Sequence, residues 1–403
     1  MSAVVAAVRP ALARRWWQVG LAALFITTSY GTLSYAFSVF VTQSGPAGEF
    51  GADTVSLGFG AALLVSGVAA IAAGTVADLF GTRRLMAGGA VLGCLGLALL
   101  GASREPWQFV VVLIVVLGPA MAATFYEPVY VLMNRWFEPG ARPRAYGVLT
   151  LLSGFSITIF TPLTRWLVDA LGWRGAMGVL ALVLLAVGLA VPAAIREPAA
   201  PASERTGPAV FFREAAAGLR VASPGFWLFT AAFFVATVAF SGYQFHLVAQ
   251  LEGRGFAPGA VAGVVALAGV VSLPARLVLP MLAGRVASAA LLAACFLVLA
   301  AAAVVSTVAD AWWQVWLVVS LFGAVFGAVY PLRALVTSER FSGPHFGRLI
   351  GLQALFVAAA RAAGPAAIVL AGTTPAGYET GFRAAAAVLV LSAGVCWFAL
   401  RRR

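Results

Sequence analysis

An acidic side chain inside an apolar stretch is the most unusual chemical feature of this chain. Glu127, in ATFYEPVYVL, stands in a run that begins near Phe109 and meets no second charge until Arg135. Such a carboxylate either takes up and releases protons, because desolvation favours its neutral form, or neutralises a buried arginine. A local cap is a third alternative, because Pro128 lacks a backbone N–H. The three alternatives stay open, and Glu127 is kept as the candidate proton-coupling residue.

Arginines inside two other apolar runs have the chemistry to bind anions. Arg361 lies in the middle of the run 349–371, and Arg276 lies near one end of the run 258–281. An arginine at a helix centre is costly in lipid, so a function is the default hypothesis. We therefore predict that both residues face a cavity and bind substrate, with a contact at the membrane interface as the alternative for Arg276. Arg333 is closer to the end of its run and is expected to act as a topology signal.

Several uncharged polar side chains are further candidates for substrate contact. In TTSYGTLSYAFSVF, small polar residues recur at helical spacing and share one face, which either lines a cavity or packs against another helix. His246, in GYQFHLVAQ, either binds substrate, titrates or makes a structural hydrogen bond. The residues that we predict to contact substrate besides the arginines are Ser34, Tyr35, Tyr126 and His246.

The elements that must position these residues are membrane-spanning helices. The chain has 403 residues, of which 62% are hydrophobic and 10% are charged, against about 25% charged in soluble domains. Twelve apolar stretches are long enough to cross a bilayer, at about 17–42, 57–77, 85–102, 109–133, 146–168, 176–195, 226–248, 258–281, 286–308, 312–336, 349–371 and 382–400. The sequence therefore predicts an all-α membrane protein with twelve transmembrane helices.

The distribution of positive charge predicts the orientation. All 26 basic residues are arginines, and the predicted helices place eighteen on one side and five on the other. The positive-inside rule then puts both termini in the cytoplasm. Because topology accounts for most of the net charge of +12, no nucleic-acid partner is predicted. We expect a multi-pass protein of a prokaryotic-type cytoplasmic membrane.

Two halves of the chain share short sequence echoes. Phe137 to Gly147 and Phe341 to Gly351 have the same spacing at an offset of 204 residues, and GWRGA at 172–176 is echoed by GFRAA at 381–385. Such repeats indicate two six-helix bundles related by pseudo-symmetry, with a substrate site between them. The predicted boundaries are an N-terminal bundle, a cytoplasmic linker with a short amphipathic helix, and a C-terminal bundle, at 1–195, 196–225 and 226–403.

The loop between the second and third predicted helices carries a recognisable motif. GTVADLFGTRR contains Gly74, Asp78, Gly81, Arg83 and Arg84. It resembles the G-x-x-x-D-R/K-x-G-R/K-R/K signature of the major facilitator superfamily, with a leucine at the first basic position. The resemblance implies that the loop gates transport. Gly74 allows close helix packing, Gly81 permits a tight turn, and we expect the carboxylate of Asp78 to lie against Arg83 and Arg84.

Shorter motifs indicate a branch of that family. WF…R-x-R-A-x-G at 136–147 and G-P at 364–365 resemble bacterial monocarboxylate porters and oxalate–formate antiporters. The resemblance implies a secondary transporter of a small organic anion that works by alternating access, proton-coupled or by exchange. The alternatives are an exporter of amphiphilic drugs or secondary metabolites, and a non-transporting membrane sensor.

Other classes of protein are not supported by the residue pattern. A phosphate-binding G-x-x-x-x-G-K-S/T loop requires lysine, which the chain lacks. Clustered His, Asp or Glu at helical spacing, as an intramembrane enzyme would need, is also missing from the sequence. We therefore predict neither an enzyme nor a cofactor or metal site. The expected partners are an anionic small molecule, protons and lipid, and the expected state is a monomer.

Overall fold

The computed structural model describes residues 2–42, 44–197, 223–343, 345–372 and 374–401. Within these ranges every regular element is a helix. The predicted linker 196–225 falls mostly outside them, as does its predicted amphipathic helix near 210–221.

Twelve long helices account for most of the described chain, and we number them in chain order. Short helices Phe37–Phe40 and Ala47–Phe50 connect the first two. The long helices are α1 (Ser2–Tyr30), α2 (Ala52–Phe80), α3 (Thr82–Ala102), α4 (Pro106–Trp136), α5 (142–171), α6 (173–194), α7 (Pro224–Gly253), α8 (Pro258–Leu282), α9 (Ser288–Ser306), α10 (Trp312–Arg340), α11 (Phe346–Val369) and α12 (Pro375–Arg401).

A glycine separates α5 from α6. The span Arg142–Ala194 has 53 residues, which as one straight helix would measure about 80 Å, far more than a bilayer. Gly172 has φ 70° and ψ 168°, a conformation that glycine adopts without steric cost. The chain turns there, so this span makes two crossings. The twelve-helix fold predicted from the sequence is confirmed.

The backbone is irregular at three places along α1 and α4. A π-helical turn over Gly31–Tyr35 directly continues α1, and α4 contains a second π-helical turn over Leu113–Leu117. Farther along α4, Phe125 leaves the helical conformation with ψ −159°. Pro128 accounts for this break, because it has no N–H to offer the carbonyl four residues earlier and its ring clashes with the preceding turn. The helix restarts at Tyr126.

The described helices pack into two compact units. Unit 1 comprises Met1–Leu219 and Ser342–Leu355, and unit 2 comprises Arg220–Phe341 and Phe356–Arg403. Each unit has its own apolar core rich in phenylalanine. The helix α11 contributes its first residues to unit 1 and its remainder to unit 2.

Small residues bring the start of α11 into backbone contact with α2 inside unit 1. A Cβ atom added to Gly74 would lie 2.1 Å from the carbonyl oxygen of Gly347, and one added to Gly351 would lie 2.2 Å from that of Ala70. Both helices therefore present small residues four positions apart, which is the pattern that allows close helix approach in membranes. The glycine predicted for close packing, Gly74, has this role.

Each unit also carries an arginine that binds the end of its third helix. In unit 1, Arg174 donates to both carboxylate oxygens of Glu49 at 2.7 Å and to the carbonyl of Ser103 at the end of α3. In unit 2, Arg254 donates to Glu379 and to the carbonyls of Thr307 and Ala309 beyond α9; these three bonds are 2.6–2.8 Å long.

The two ion pairs use opposite connections of the repeat. In unit 1 the arginine, Arg174, lies in the first turn of the sixth helix, and its glutamate lies between the first and second helices. In unit 2 the arginine, Arg254, lies between the first and second helices of the bundle, and Glu379 lies at the start of the sixth. Positive charge at a helix C-terminus is favourable in both.

Replacing Gly74 with alanine should weaken the packing of α11 on α2. The added methyl group would overlap the Gly347 carbonyl, and overpacking of this kind costs about 1–3 kcal/mol. The melting temperature in detergent should therefore fall. Gly60→Ala, on the same helix but with open space around its Cβ position, should leave it unchanged or raise it slightly. Equal melting temperatures for the two variants would contradict the packing role.

The Glu49–Arg174 ion pair should make stability depend on acid pH. Hydrogen bonds from Arg174 hold the pKa of Glu49 below its ordinary value of 4.5. The pair therefore stabilises the fold above that value, and its contribution is lost as the pH falls through the lower folded-state pKa. In melting curves from pH 7 to pH 3, Glu49→Gln should flatten this part of the acid dependence. The exposed Asp53, changed to asparagine, is the control; superimposable wild-type and Glu49→Gln profiles would refute the prediction.

Candidate functional site

The buried carboxylate of Asp78 lies at the N-terminus of α11. Its two oxygens accept hydrogen bonds from the backbone N–H groups of Gly347 at 3.2 Å and Arg348 at 3.1 Å. Guanidinium nitrogens of Arg135 and Arg348 each lie 3.8 Å from one of its oxygens. The side chain is 4% exposed, so these donors replace the water that an ionised carboxylate needs. We call the hydrogen bonds of Asp78 to the first turn of α11 the α2–α11 clamp.

A second carboxylate extends the network inside unit 1. Glu197 accepts hydrogen bonds from the backbone N–H groups of Thr82 and Arg83, at 2.8 and 3.0 Å, and so caps the N-terminus of α3. The same carboxylate receives a 2.5 Å hydrogen bond from Arg135, whose other nitrogen donates to the carbonyl of Ala77. Arg135 therefore connects the two capping carboxylates. Acidic groups at helix N-termini are stabilised by the helix dipole.

The arginines of the loop motif do not lie where the sequence analysis expected them. Arg83 donates to the carbonyls of Pro192 and Ala193 at the end of α6, and Arg84 is exposed. The cationic neighbours of Asp78 are instead Arg135 and Arg348. Gly81 has φ 90°, the glycine-specific conformation that begins α3.

Sequence reasoning missed three members of this network, Arg135, Glu197 and Arg348. The sequence separations are large: 269 and 270 residues between Asp78 and the amides that it caps, and 62 between Arg135 and Glu197. No spacing rule connects residues that far apart. The repeated phenylalanine-to-glycine spacing did draw attention to Gly351, which packs against α2 one turn after Gly347. It did not indicate that Gly74 would be the partner of Gly347.

A cluster of aromatic residues surrounds the irregular backbone of α1 and α4. Tyr30 stacks on Phe125 with ring centroids 3.9 Å apart, and the ring of Tyr126 lies 5.1 Å from that of Tyr30. The ring centroid of Tyr35 lies 6.1 Å from that of Tyr30. Farther in, stacked rings continue from Tyr126 through Tyr130 to a buried tyrosine on α5. We call this group the tyrosine cluster.

The hydrogen bonds of Ser153 determine which atom donates in its contact with the Tyr126 hydroxyl. Ser153 donates its only hydroxyl proton to the carbonyl of Leu149 at 2.7 Å. Tyr126 therefore donates to the Ser153 oxygen, which lies 2.7 Å away. Glu127 is half-buried beside Tyr126, in the first turn of the restarted helix. Ser34 and Tyr35 are also half-buried, inside the π-helical turn.

The predicted polar face of α1 is divided by that turn. Thr27 accepts a hydrogen bond on its carbonyl from Ser156, and the space next to Gly31 is filled by the ring of Phe160. This part of the face packs against α5. Because the π-helical turn inserts one residue into the helical repeat, Ser34 and Ser38 do not continue that packing face.

Unit 2 holds the three arginines of its apolar helices in different environments. Arg361 is exposed in α11. Arg276 is half-buried, with its stem packed against Gly327 of α10. Arg333 is 2% exposed, and its guanidinium lies 5.9 Å from the centre of the Phe233 ring. The expected topology signal at Arg333 is therefore wrong, because the side chain is inside the unit.

His246 makes an interhelical contact in unit 2. Its Nε2 atom lies 3.1 Å from the carbonyl oxygen of Pro365 in α11, and its ring lies 5.3 Å from that of Tyr378 in α12. Nearby, Ser241 donates to the carbonyl of Ala360. These contacts join α7 to α11. Substrate binding by His246 stays a prediction.

Comparison with known families identifies the chain. Residues 19–365 match the model of the Major Facilitator Superfamily. The chain belongs to the Major Facilitator Superfamily. This confirms the family predicted from the loop motif and supports a transporter rather than an enzyme.

Relatives of this superfamily member include two mammalian proteins and one bacterial protein. It is 25% identical to bovine monocarboxylate transporter 13 over 260 residues, and 26% identical to the rat protein over 267 residues. Each match covers 64% of this chain and 59% of the relative. The puromycin resistance protein pur8 of Streptomyces alboniger is 32% identical over 179 residues, 43% of this chain and 34% of that protein.

Solved structures agree on the fold of this superfamily member. The human organic anion transporter MFSD10 superposes with a TM-score of 0.73 at 17% identity, covering 95% of this chain and 99% of that one. The fucose:proton symporter FucP of E. coli gives 0.71 at 15% identity, with 93% and 97% covered. At these identities the likeness establishes the twelve-helix fold alone.

Replacing Asp78 with asparagine should weaken the α2–α11 clamp. Asparagine keeps the shape but has one acceptor oxygen for the two N–H groups, and both arginines lose a counter-charge. Removing one member of a buried ionic network costs about 3–5 kcal/mol, so the melting temperature should fall and transport should slow. Asp53→Asn is the control, because Asp53 is exposed on the same helix. Wild-type stability and kinetics in Asp78→Asn would show that the clamp is unimportant.

Proposed function

We propose that this protein is a secondary transporter that carries a small organic anion, of the carboxylate type, by alternating access. The observation that carries the proposal is an exposed arginine, Arg361, within an apolar helix long enough to span a bilayer. A charge in such a helix is costly against lipid but is tolerated where it faces a water-filled cavity. An arginine that faces water within a membrane protein is a natural binding site for a carboxylate.

A second feature of the same helices supports a binding role. Arg361 is followed four residues later by Pro365, and Arg276 is followed four residues later by Pro280. Because proline has no N–H, neither arginine has its carbonyl bonded by the usual helical donor. Interrupted helical hydrogen bonding is tolerated at membrane depth where the backbone is buried in protein or lines a water-filled cavity, which agrees with a binding role for these helices.

Two of the relatives are named monocarboxylate transporters, which agrees with an anionic substrate. We extend the proposal to coupling: Glu127 takes up and releases the proton that drives transport. Its half-buried position in the first turn after the helix break equally suits the two other roles, neutralisation of an arginine and stabilisation of the helix start. The proposed location is a prokaryotic-type cytoplasmic membrane.

The α2–α11 clamp has a place in this proposal. Alternating access requires helices to separate and rejoin once in each cycle. The first residues of α11 are held to α2 by Asp78, while the rest of α11 belongs to unit 2. We propose that breaking and remaking these hydrogen bonds is one of the conformational steps of transport.

A second candidate function, export of amphiphilic drugs, is favoured by two observations. One relative is named a puromycin resistance protein. The tyrosine cluster, with Tyr30, Tyr35 and Tyr126 half-buried, presents flat rings that stack well on aromatic ligands. A carboxylate beside such rings, as at Glu127, is suited to a cationic ligand.

Replacing Arg361 tests the anion proposal directly. Arg361→Ala should weaken saturable binding of a carboxylate by about 30-fold or more, since charge-assisted hydrogen bonds contribute about 1.5–3 kcal/mol each. Arg361→Lys should keep part of the binding, because the charge remains without bidentate geometry. Thermal-shift titrations with lactate, succinate and benzoate supply the measurement. Arg165→Ala, at an exposed arginine paired with Asp169, is the control. Normal binding by both Arg361 variants would refute the proposal.

Uptake and resistance assays separate the two candidate functions. If the protein transports an organic anion, proteoliposomes that contain it should accumulate labelled carboxylate when a pH gradient is imposed, and cells that express it should show unchanged puromycin sensitivity. If it exports amphiphilic drugs, cells that express it should tolerate a higher puromycin concentration, and the proteoliposomes should move no carboxylate.

A further inference from the structure

A single imidazole joins three helices of unit 2. Nε2 of His246 in α7 lies 3.1 Å from the carbonyl oxygen of Pro365 in α11, and the imidazole ring lies 5.3 Å from the ring of Tyr378 in α12. A carbonyl oxygen can only accept a hydrogen bond, so Nε2 carries a proton and donates it. The neutral Nε2–H tautomer and the imidazolium both have this donor.

The carbonyl that His246 binds lies at a weak point of α11. Pro365 has no N–H, so it cannot make the helical hydrogen bond that would reach back to the carbonyl of Arg361. The helix nevertheless continues on both sides of this position, from Phe346 to Val369. Helices bend most readily at proline. A bend at Pro365 would displace the turn that carries Arg361.

The backbones of α7 and α11 touch at the same level. A Cβ atom added to Gly242 would lie 2.3 Å from the carbonyl oxygen of Gly364, and one added to Gly364 would lie 2.7 Å from the backbone nitrogen of Gly242. Ser241 makes a longer contact, with its hydroxyl 3.4 Å from the carbonyl oxygen of Ala360. Contacts from α7 therefore reach α11 both before and after Arg361.

We propose that His246 is a positioning residue for the anion site. Its Nε2–H holds the carbonyl of Pro365 and so fixes the turn of α11 that carries Arg361, only four residues or about 6 Å away along the helix. Binding groups must be held to within about 0.5 Å of their working geometry. His246 acts here through the backbone, whichever other groups the guanidinium contacts. This role differs from the direct substrate contact predicted from the sequence.

The effect on α11 can be measured without a ligand. Glutamine places its amide nitrogen about where Nε2 of histidine lies, whereas asparagine is one methylene group shorter. Hydrogen exchange by mass spectrometry is followed at residues 359–368 of the full-length protein in lipid nanodiscs. His246→Leu and His246→Asn should speed this exchange about five- to tenfold, the effect of losing one hydrogen bond. His246→Gln should retain wild-type exchange.

The effect on the anion site rests on the proposed function and is measured with lactate. In thermal-shift titrations, His246→Leu and His246→Asn should bind lactate about five- to tenfold more weakly, and His246→Gln should bind it as the wild type does. Thr237→Val is the matched control on α7, because the hydroxyl of Thr237 bonds the carbonyl of Phe233 in the same helix. This control should leave lactate binding and exchange in α11 unchanged.

A pH series separates positioning from direct contact. Because both charge states of the imidazole donate from Nε2, the wild type and His246→Gln should have the same pH profile of lactate binding between pH 7.5 and pH 5.5. An imidazole in direct contact with the anion would instead bind lactate more tightly at acid pH, through the positive charge that it gains there. His246→Gln would lack that gain.

Three results would overturn the proposal. They are wild-type exchange and binding in His246→Leu, a His246→Gln variant as defective as His246→Leu, and an acid gain in affinity that His246→Gln lacks. Failure of the proposed function gives a different result. In that case Arg361→Ala binds lactate normally, or the wild type binds no carboxylate, while exchange in α11 still rises in His246→Leu and is restored in His246→Gln.

Discussion

The ionised carboxylate of Asp78 has to be stabilised without water, and much of unit 1 is arranged around that requirement. Two backbone N–H groups of α11 take the place of solvent, and Arg135 and Arg348 supply the opposing charge. The N–H groups are available because the first turn of any helix leaves its donors unsatisfied. They reach the carboxylate because Gly74 and Gly347 have no side chains to keep the two helices apart. Electrostatics and close packing are thus two parts of one contact.

The same physical solution recurs at other helix ends. Glu197 occupies the N-terminus of α3, and Arg83 the C-terminus of α6. At the ends of the third helix in each unit, Arg174 and Arg254 bind the last carbonyls while a glutamate neutralises them. The helix dipole makes each placement favourable. In unit 1 the glutamate follows the first helix and the arginine begins the sixth, whereas in unit 2 the arginine follows the first helix and the glutamate begins the sixth. The end of the third helix therefore has an arginine–glutamate pair in both units, but the two residues have exchanged places.

The candidate polar residues of unit 1 lie where the helices are irregular. The π-helical turn of α1 and the proline-induced break of α4 bring Tyr30 against Phe125 and Tyr126, with Glu127 in the next turn. Regular helices would project these side chains at fixed intervals of 3.6 residues. Unit 2 has prolines four residues after Arg276 and after Arg361, where a helix would ordinarily have an N–H donor to the carbonyl of each arginine. Both units thus have proline close to a charged side chain inside an apolar helix.

The sequence by itself determined the twelve helices, the family and the close packing at Gly74, since hydropathy over a bilayer thickness and a local motif need only neighbouring residues. It identified Glu127 and Arg361 as exceptional, because a charge in an apolar run is visible without a structure. The tertiary structure decided the partners. Asp78 binds Arg135 and Arg348 instead of the adjacent Arg83, and Arg333 is buried rather than at an interface. His345, which looks like an ordinary loop residue, contacts a buried arginine. These outcomes depend on which helices meet, and residues up to 270 positions apart leave no periodic signal in the chain.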